Sequence, residues 1–342
     1  MVRIGILTSG GDCPGLNAVI RACVLRGIRI HRDEFVGFTD GWRGVVEGNT
    51  INLDWMSVRG IANLGGTILG TSRTNPLGEG GGGERIQATL RSLGIEALIV
   101  IGGEGTLAAA KILSDSGIPI VGVPKTVDND LSATDFSFGF NTAVEIATEA
   151  IDRLKTTGQS HHRCMIAEVM GRHAGWIALY AGMATSAHAI LIPEQKASLE
   201  EICEWVEGPF RRGRTPLVVV AEGFVSAEMT EPHSERGLDA FNRPRLGGIG
   251  ERLAPIIEER TGIETRSTTL GHIQRGGAPS ASDRVLATRL GLAAVDAVHD
   301  QSWGQMVATH GDKIVRVSLE ESVGRLKTVP QSRYDEATYL FG

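Results

Sequence analysis

Short apolar runs that stop at glycine or proline, each followed by a helical pattern, most constrain the fold of this chain. Three such runs lie in the first part of the sequence, at 3–8, 97–101 and 118–123. Nearly continuous apolar strands that alternate with helices are typical of a parallel sheet covered on both faces. Ligands bind such sheets beyond the carboxyl ends of the strands, so the turns after these runs are expected to share one edge.

The strand-and-turn pattern restarts beyond residue 140, which indicates a second lobe. Thr142 and Glu145 match a capping box and apolar residues follow at helical spacing, so we predict a helix that begins at Thr142. Apolar runs at 163–170 and 217–221 then end at turns that contain glycine. We predict an α/β fold of two Rossmann-like lobes with mainly parallel sheets and an active site in the cleft between them.

Length, charge and cysteine content limit the classes of function. A chain of 342 residues is long enough for about two domains. The formal net charge of −6 gives no general attraction to nucleic acid or anionic lipid, and no apolar run approaches the ~20 residues of a membrane span. The four cysteines are dispersed and indicate reduced thiols. We expect a cytoplasmic protein with no nucleic-acid or membrane partner, which holds any anionic ligand with locally placed cations.

Two glycine-rich turns follow the predicted strands. Segment 9–15, SGGDCPG, suits an anion beside a helix N-terminus, or simply forms a tight strand-to-helix turn. Segment 102–106, GGEGT, is the second turn. Gly103, Gly105 and Ala108 also fit the relaxed dinucleotide fingerprint, which leaves a nicotinamide-dependent oxidoreductase as an alternative. That alternative lacks an acidic residue for the ribose, because the next strand ends in Pro124 and Lys125.

The segment from Lys125 to Asp130 carries the groups that phosphoryl transfer to an alcohol needs. It combines a cation, the Thr126 hydroxyl and carboxylates at Asp128 and Asp130. One carboxylate can accept the proton of the attacking hydroxyl while other groups orient a metal ion and phosphate. The alternative interpretation is an Asp-Asn turn with solvated charges.

Basic residues recur in the second lobe, some of them beside glycines. They are Arg163, Arg172, His173, Arg266, His272 and Arg275. Arginine binds phosphate through paired N–H donors, so several of them at strand ends in an acidic protein favour a sugar-phosphate pocket over unrelated surface ion pairs. Glu222 also ends a strand and suits the hydroxyls of a sugar.

Together these segments resemble the bacterial phosphofructokinase family over nearly the whole chain. The motifs are GGDCPGLN at 10–17, the turn at 102–106, PKTVDND at 124–130, EVMGRHAGW at 168–176 and LGHIQRGG at 270–277. The versions HAGW at 173–176 and PQSRY at 330–334 look like the actinobacterial branch. The resemblance implies a glycolytic 6-phosphofructokinase, which phosphorylates the 1-hydroxyl of fructose 6-phosphate with ATP and Mg²⁺ to give fructose 1,6-bisphosphate.

The resemblance also implies a role for each matching position. Asp128 is the expected base, and Thr126 and Asp130 orient substrate and metal. Arg172 would stabilise the transferring phosphoryl group, and Glu104 would hold Mg²⁺. The residues expected around the donor are Gly11, Arg73, Thr74, Gly103, Gly105, Thr106 and Lys125. Those expected around the sugar phosphate are Thr126, Asp128, Met170, Gly171, Arg172, Glu222, His272 and Arg275, joined by Arg163 and Arg266 from a neighbouring subunit.

Domain boundaries and an assembly follow from the same resemblance. Residues 1–139 with about 274–326 would form the donor-binding lobe, and about 140–273 with 327–342 the lobe that binds fructose 6-phosphate. Active sites shared between subunits imply a homo-oligomer, with a tetramer as the expected form.

Some positions depart from the family pattern. Glu104 stands where aspartate is commoner, and Gly78 where many ATP-using members have a second basic residue near the donor phosphates. His188 and Leu25 occupy positions that regulated bacterial enzymes fill with an effector-binding glutamate and arginine. Activation by ADP is therefore not expected.

Two positions indicate the phosphoryl donor in this family, and here they disagree. Pyrophosphate users place aspartate at position 105, which obstructs the α-phosphate of a nucleotide, and lysine at 125. This chain combines Gly105, the ATP-type residue, with Lys125, the pyrophosphate-type residue. Because excluding a nucleotide requires a blocking group, and a lysine can satisfy either donor, we expect ATP. The alternative is a pyrophosphate-dependent fructose 6-phosphate 1-phosphotransferase with the same chemistry.

Two further classes remain besides the oxidoreductase. NAD and lipid kinases also use a turn of the Gly-Gly-Asp-Gly type, but they have no need of an arginine-rich second lobe. A non-catalytic sensor of phosphate ligands has no need of Asp128 or Arg172, and both are present.

Overall fold

The computed structural model describes residues 1–78, 82–229 and 246–342. The strands in these ranges are β1 (Arg3–Ser9), β2 (Glu34–Phe38), β3 (Thr50–Leu53), β4 (Ala97–Gly102), β5 (Ile120–Pro124), β6 (Cys164–Val169), β7 (Ala189–Leu191), β8 (Leu217–Ala221), β9 (Thr265–Thr269), β10 (Gln305–His310) and β11 (Lys313–Ser318). The helices are α1 (Leu16–Arg26), α2 (Trp42–Glu47), α3 (Gly83–Ser92), α4 (Glu104–Asp115), α5 (Phe140–His161), α6 (Trp176–Ala184), α7 (Leu199–Arg211), α8 (Ile249–Thr261), α9 (Ala281–His299), α10 (Leu319–Val323) and α11 (Gln331–Thr338).

The chain divides into two compact units. Unit 1 comprises Met1–Val127, Leu131–Thr142 and Arg275–Leu326. Unit 2 comprises Asp128–Asp130, Ala143–Gln274 and Lys327–Gly342. Each unit is built around its own sheet, and none of the helices in the described ranges is long and apolar enough to cross a membrane.

The sheet of unit 1 is mainly parallel, with strand order β11-β10-β5-β4-β1-β2-β3. β3 and β11 run antiparallel at its two edges. Every residue of β4 is buried, as expected for a central strand covered by helices on both faces. The chain order reverses at β1, which lies between β2 and β4. This reversal is the position at which open α/β sheets form a ligand crevice.

The sheet of unit 2 is entirely parallel, with strand order β7-β8-β6-β9. β6 and β8 are buried along their whole length. Their aliphatic side chains pack with α7 and α8 in a core that includes Ile166, Val206, Val218 and Leu253. The prediction of an α/β fold with mainly parallel sheets is confirmed.

The predicted start of the long helix is wrong. Helix α5 begins at Phe140, so Thr142 lies inside its first turn and does not cap it. The Thr142 N–H and hydroxyl instead donate to Asp283 Oδ2 at 2.7 and 2.6 Å. A buried carboxylate 141 residues away in sequence therefore satisfies groups that a local capping box was expected to satisfy.

Candidate active site

The predicted donor turns follow one edge of the unit 1 sheet. In the pairing of the strands, Ser9 lies opposite Gly102, and Gly102 lies opposite Pro124. The ends of β1, β4 and β5 therefore form a row, and the turns that follow them start from adjacent points. This places segments 9–15, 102–106 and 124–127 beside the reversal point of the sheet.

Two cationic side chains hold the turn after β1. Gly10 has a φ of +91°, a left-handed conformation that favours glycine. Lys125 is 3% exposed and its Nζ donates to the Gly11 carbonyl, while Arg275 Nη1 donates to the Asp12 carbonyl at 3.2 Å. A β-carbon on Gly11 would lie 3.0 Å from Arg275 Nη1, so a larger residue would crowd the guanidinium. The turn thus presents backbone beside two positive charges, which suits a phosphate group.

A loop segment brings two more predicted donor residues to this turn. The Gly10 N–H and the Ser9 hydroxyl both donate to the Ser72 carbonyl, at 3.0 and 3.1 Å. The Ser72 hydroxyl lies 3.2 Å from the Thr74 hydroxyl. Arg73 and Thr74 are thereby held next to the end of β1. Sequence reasoning did not identify Ser72, because it belongs to none of the motifs.

The turn after β4 leads directly into α4. Gly103 precedes the helix, and Glu104, Gly105 and Thr106 begin its first turn. The N–H groups at a helix start have no partner within the helix, and the helix dipole favours an anion there. A β-carbon on Gly105 would meet nothing within 4 Å, so the space beside this residue is open. Thr106 Oγ1 would lie 3.4 Å from a β-carbon on Gly10, which joins this turn to the one after β1.

The segment that carries the predicted base is a constrained turn. The Ser137 hydroxyl donates to the Thr126 carbonyl at 2.8 Å. Asn129 has a φ of +51°, an uncommon conformation for a residue other than glycine. Asp128 Oδ1 has less than 1 Å² of exposed surface. Interactions of this carboxylate are therefore stronger than they would be in bulk water.

The predicted sugar-phosphate residues of unit 2 follow the carboxyl ends of β6 and β8. The last residues of these two strands lie opposite each other, so Met170 and Glu222 begin adjacent turns. The Gly223 N–H donates to the Gly171 carbonyl at 3.1 Å. A β-carbon on Gly223 would lie 2.0 Å from the Arg172 carbonyl oxygen, so only glycine allows the two backbones to approach this closely. The structure thus brings Met170, Gly171, Arg172 and Glu222 together.

Gln274 connects the third strand end to this cluster. Its side chain is buried, its Oε1 accepts from the Met170 N–H at 3.3 Å, and its Nε2 donates to the Gly271 carbonyl at 3.0 Å. The short 3₁₀ helix Gly271–Arg275, which contains His272, is therefore tied to the end of β6. Gln274 lies within the motif at 270–277, but no local pattern predicts this role for it.

Arg163 and Arg266 lie at the opposite edge of the same sheet. Arg163 directly precedes β6, and Arg266 is the second residue of β9. Both pair with Glu264: Arg163 Nε is 2.7 Å from Oε2, and Arg266 Nη2 is 2.5 Å from Oε1. A hydrogen bond from Arg163, reinforced by both positive charges, lowers the pKa of Glu264. Since β6 is six residues long, these arginines lie roughly 20 Å along the strand direction from Met170.

A separate cavity of about 650 Å³ lies within unit 2. Its lining includes Lys155, His188, Arg212 and Arg214. Burial lowers the pKa of His188, and the three neighbouring cations lower it further. His188 therefore lies in a strongly basic environment.

Glu104 is the predicted metal ligand. The described residues contain no group of three or more histidine, cysteine, aspartate or glutamate side chains that could hold a metal ion. Mg²⁺ commonly takes one or two protein carboxylates and completes its octahedron with phosphate oxygens and water. A single glutamate at the start of α4 fits that mode and does not fit an all-protein metal cage.

Comparisons with known proteins give one family. The phosphofructokinase family model matches residues 3–298. A pyrophosphate–fructose 6-phosphate 1-phosphotransferase of Streptomyces coelicolor is 57% identical over all of both chains. ATP-dependent 6-phosphofructokinase 3 of the same organism is 53% identical over 98% of this chain and 99% of its own.

A solved structure agrees with the sequence comparisons. Phosphofructokinase from Pichia pastoris in the T-state is 34% identical and superimposes with a TM-score of 0.83, covering 94% of this chain and 35% of the yeast chain. The fold of this chain thus corresponds to about a third of that longer protein. The family match, the full-length relatives and the fold lead to one conclusion: the chain belongs to the phosphofructokinase family.

Proposed function

We propose that this chain is an ATP-dependent 6-phosphofructokinase, which transfers the terminal phosphoryl group of ATP to the 1-hydroxyl of fructose 6-phosphate. The observation that carries the proposal is the edge of the unit 1 sheet. There the Gly11 turn, Lys125 and the start of α4 adjoin, and the chain continues from Lys125 straight into Asp128. A phosphate-binding edge is thus joined to a carboxylate suited to activate an alcohol.

The proposed chemistry divides between named groups. The oxygen of the sugar 1-hydroxyl attacks the γ-phosphorus while Asp128 accepts the proton of that hydroxyl. The bond between the γ-phosphorus and the β–γ bridging oxygen breaks, and ADP is released. Arg172 stabilises the charge on the transferring group, as an arginine does at many phosphoryl-transfer sites. Glu222 and His272 are assigned to the sugar phosphate because they follow strand ends adjacent to Arg172.

Mg²⁺ is proposed to be held by Glu104 together with donor phosphates. When bound, it would neutralise charge on the phosphates and polarise the bond that breaks. Gly103 and Gly105 keep side chains away from the first N–H groups of α4, so phosphate oxygens can reach that backbone.

Of the two positions that disagree, Gly105 supports ATP over pyrophosphate and Lys125 is compatible with both donors. Nothing lies within 4 Å of a β-carbon built on Gly105, and glycine itself places no side chain where it would obstruct the α-phosphate of a nucleotide. The Lys125 ammonium group donates to the Gly11 carbonyl, so it helps to hold the turn after β1 whichever donor is bound. A lysine that shapes the phosphate-binding turn is compatible with either donor, so position 105 carries more weight.

The named relatives do not decide the donor. Relatives with pyrophosphate in their names are 55–58% identical, and those with ATP in their names are 52–53% identical. A difference of a few percent over the whole chain says little about a preference that rests on one or two side chains. Pyrophosphate therefore stays the alternative donor.

A homo-oligomer, with a tetramer as its expected form, is part of the proposal. Arg163 and Arg266 lie at the far edge of the unit 2 sheet from Met170 and Glu222, roughly 20 Å away along the strands. If they bind a sugar phosphate, they must do so in a site completed by another copy. Arg163→Ala should then raise the KM for fructose 6-phosphate although Arg163 is remote from its own Glu222.

The donor assay tests the proposal directly. Purified protein should form fructose 1,6-bisphosphate from fructose 6-phosphate, ATP and Mg²⁺, and chelation of the metal should stop the reaction. The control variant Asp128→Asn keeps the shape of the side chain and should lower kcat by about 10²–10⁴ without a change in thermal midpoint. Turnover with pyrophosphate alone would contradict the assignment of the donor, and no turnover with either donor would contradict the function.

A further inference from the structure

Lys327 is bonded to the segment that carries the predicted base and to the start of α6. Its backbone N–H donates to the Asp130 carbonyl at 2.8 Å, and its Nζ donates to Asn129 Oδ1 at 3.0 Å. Its own carbonyl accepts from Trp176 Nε1 at 2.8 Å. All of these residues belong to unit 2. One lysine is thus bonded both to the turn that follows Asp128 and to the first residue of α6.

The turn at Asn129 needs such support. Its φ of +51° lies in the left-handed region, which asparagine adopts more readily than most residues but which is uncommon outside glycine, and such a conformation persists where its surroundings hold it. The Lys327 ammonium bonds the side chain of this strained residue, and the Lys327 N–H bonds the carbonyl of the next one. Asp128 lies one residue earlier in the same turn, so these two contacts limit how far its backbone can move.

The other contacts of this segment reach the turn that carries Arg172. Trp176 begins α6 directly after that turn, and the Lys327 Nζ also lies 5.9 Å from the centre of its indole ring. Two residues further on, the Val329 N–H donates to Glu194 Oε1 at 2.7 Å, and the same carboxylate accepts from the Gly175 N–H at 3.0 Å. Segment 327–329 is therefore connected both to the turn that follows Asp128 and to the turn that carries Arg172.

We propose that Lys327 is a positioning residue for phosphoryl transfer. Its side chain holds the Asn129 turn so that Asp128 keeps its direction, and its backbone connects that turn to the one bearing Arg172. The proposed role requires no contact between Lys327 and a substrate. The proposal rests on the proposed function, and it assigns a role to a residue that lies outside every motif in the sequence.

The side chain can be tested without disturbing the backbone bonds. Lys327→Met keeps the length of the side chain and both backbone contacts but removes the donor to Asn129. We expect kcat to fall about tenfold while the KM values for fructose 6-phosphate and donor change by less than about twofold. Lys327→Arg keeps a cationic donor and should recover most of kcat. An unchanged kcat in Lys327→Met would overturn the proposal, as would a loss that Lys327→Arg shares in full.

A double-mutant cycle tests whether Lys327 acts through Asn129. Asn129→Gly removes the acceptor while glycine still adopts a positive φ without strain. If the two side chains act as a unit, the combined variant should lose no more kcat than the more damaging single variant. Losses that multiply to about a hundredfold would show that Lys327 acts by another route and would overturn this one.

Hydrogen exchange separates this proposal from the proposed function. The peptide that spans 126–131 should exchange at least about threefold faster in Lys327→Met than in the unaltered protein, and Lys327→Arg should resemble the unaltered protein. This measurement needs no turnover. If the unaltered protein is inactive with both donors, the function fails, and exchange still decides whether Lys327 holds the turn. Unchanged exchange in this peptide would overturn the positioning role even in an active enzyme.

Discussion

Gly105→Asp isolates the side chain on which the donor assignment depends. A β-carbon at this position meets nothing within 4 Å, and the residue lies in the first turn of α4. The β-carbon of an aspartate therefore fits without displacing a neighbour. A carboxylate in the first turn of a helix is itself favourable, by about 0.3–1 kcal/mol, so the free energy of unfolding should not decrease.

The expected loss follows from charge repulsion. A carboxylate about 4 Å from an α-phosphate, at an effective dielectric constant near 20, repels each negative charge by about 4 kcal/mol. Since each 1.36 kcal/mol is a factor of ten in rate, kcat/KM for ATP should fall by about 10³. Pyrophosphate has no third phosphate at that position and should lose much less.

The assay measures kcat/KM with ATP and with pyrophosphate for the unaltered protein, Gly105→Asp and Gly105→Asn. If a donor is turned over too slowly for kinetics, isothermal titration measures its affinity for each variant, with a non-hydrolysable analogue in place of ATP. Gly105→Asn has the same size without the charge, so it separates repulsion from obstruction. Equal losses for both donors in Gly105→Asp, with an unchanged thermal midpoint, would refute the argument that position 105 selects the donor.

Two further predictions concern stability. Asp283→Asn removes a buried carboxylate that accepts two hydrogen bonds from Thr142, so it should lower the free energy of unfolding, measured by urea titration, by about 2–3 kcal/mol. The control Asp312→Asn changes a fully exposed side chain and should leave the free energy of unfolding unchanged. Equal effects of the two substitutions would contradict the role of Asp283 in starting α5. Burial, aided by nearby cations, lowers the pKa of His188 in the folded protein, so the unfolded chain binds a proton at this residue more readily than the folded chain does. The contribution of neutral His188 to the free energy of unfolding is therefore fully present above pH 6.5 and is lost as the pH falls below it. His188→Asn, which keeps an acceptor for the Leu217 N–H, should reduce the drop in thermal midpoint between pH 7.5 and 5.5, and an unchanged drop would contradict this assignment.

Strands with continuous apolar runs were predictable from the sequence, and strands without them were not. β4 and β8 are fully buried, so their composition alone indicates a central parallel strand. β9 has the sequence TRSTT and is mostly half-buried or exposed. Its extended conformation comes from pairing with β6, which a local pattern does not reveal.

The candidate site shows the same division between local and distant causes. Gly11 and Gly105 could be found from the sequence because they lie in glycine-rich turns directly after apolar runs, and that pattern is local. Ser72 and Lys327 act through hydrogen bonds to residues 63 and 198 positions away in sequence. Nothing next to either residue in the sequence distinguishes it from an ordinary polar loop residue, so only the fold reveals its role.

The contacts of Lys125 change how the donor conflict is understood. Lysine at position 125 is the pyrophosphate-type residue of the family, although its ammonium group can satisfy the phosphates of either donor. In the structure it is 3% exposed and bonded to the Gly11 carbonyl, so it helps to set the conformation of the turn to which either donor would bind. Gly105 affects a different feature, the open space at the start of α4, where a larger side chain would stand. The two residues therefore affect different features, the conformation of the turn and the space at the start of α4. Their combination in one chain is physically consistent with an ATP-dependent enzyme.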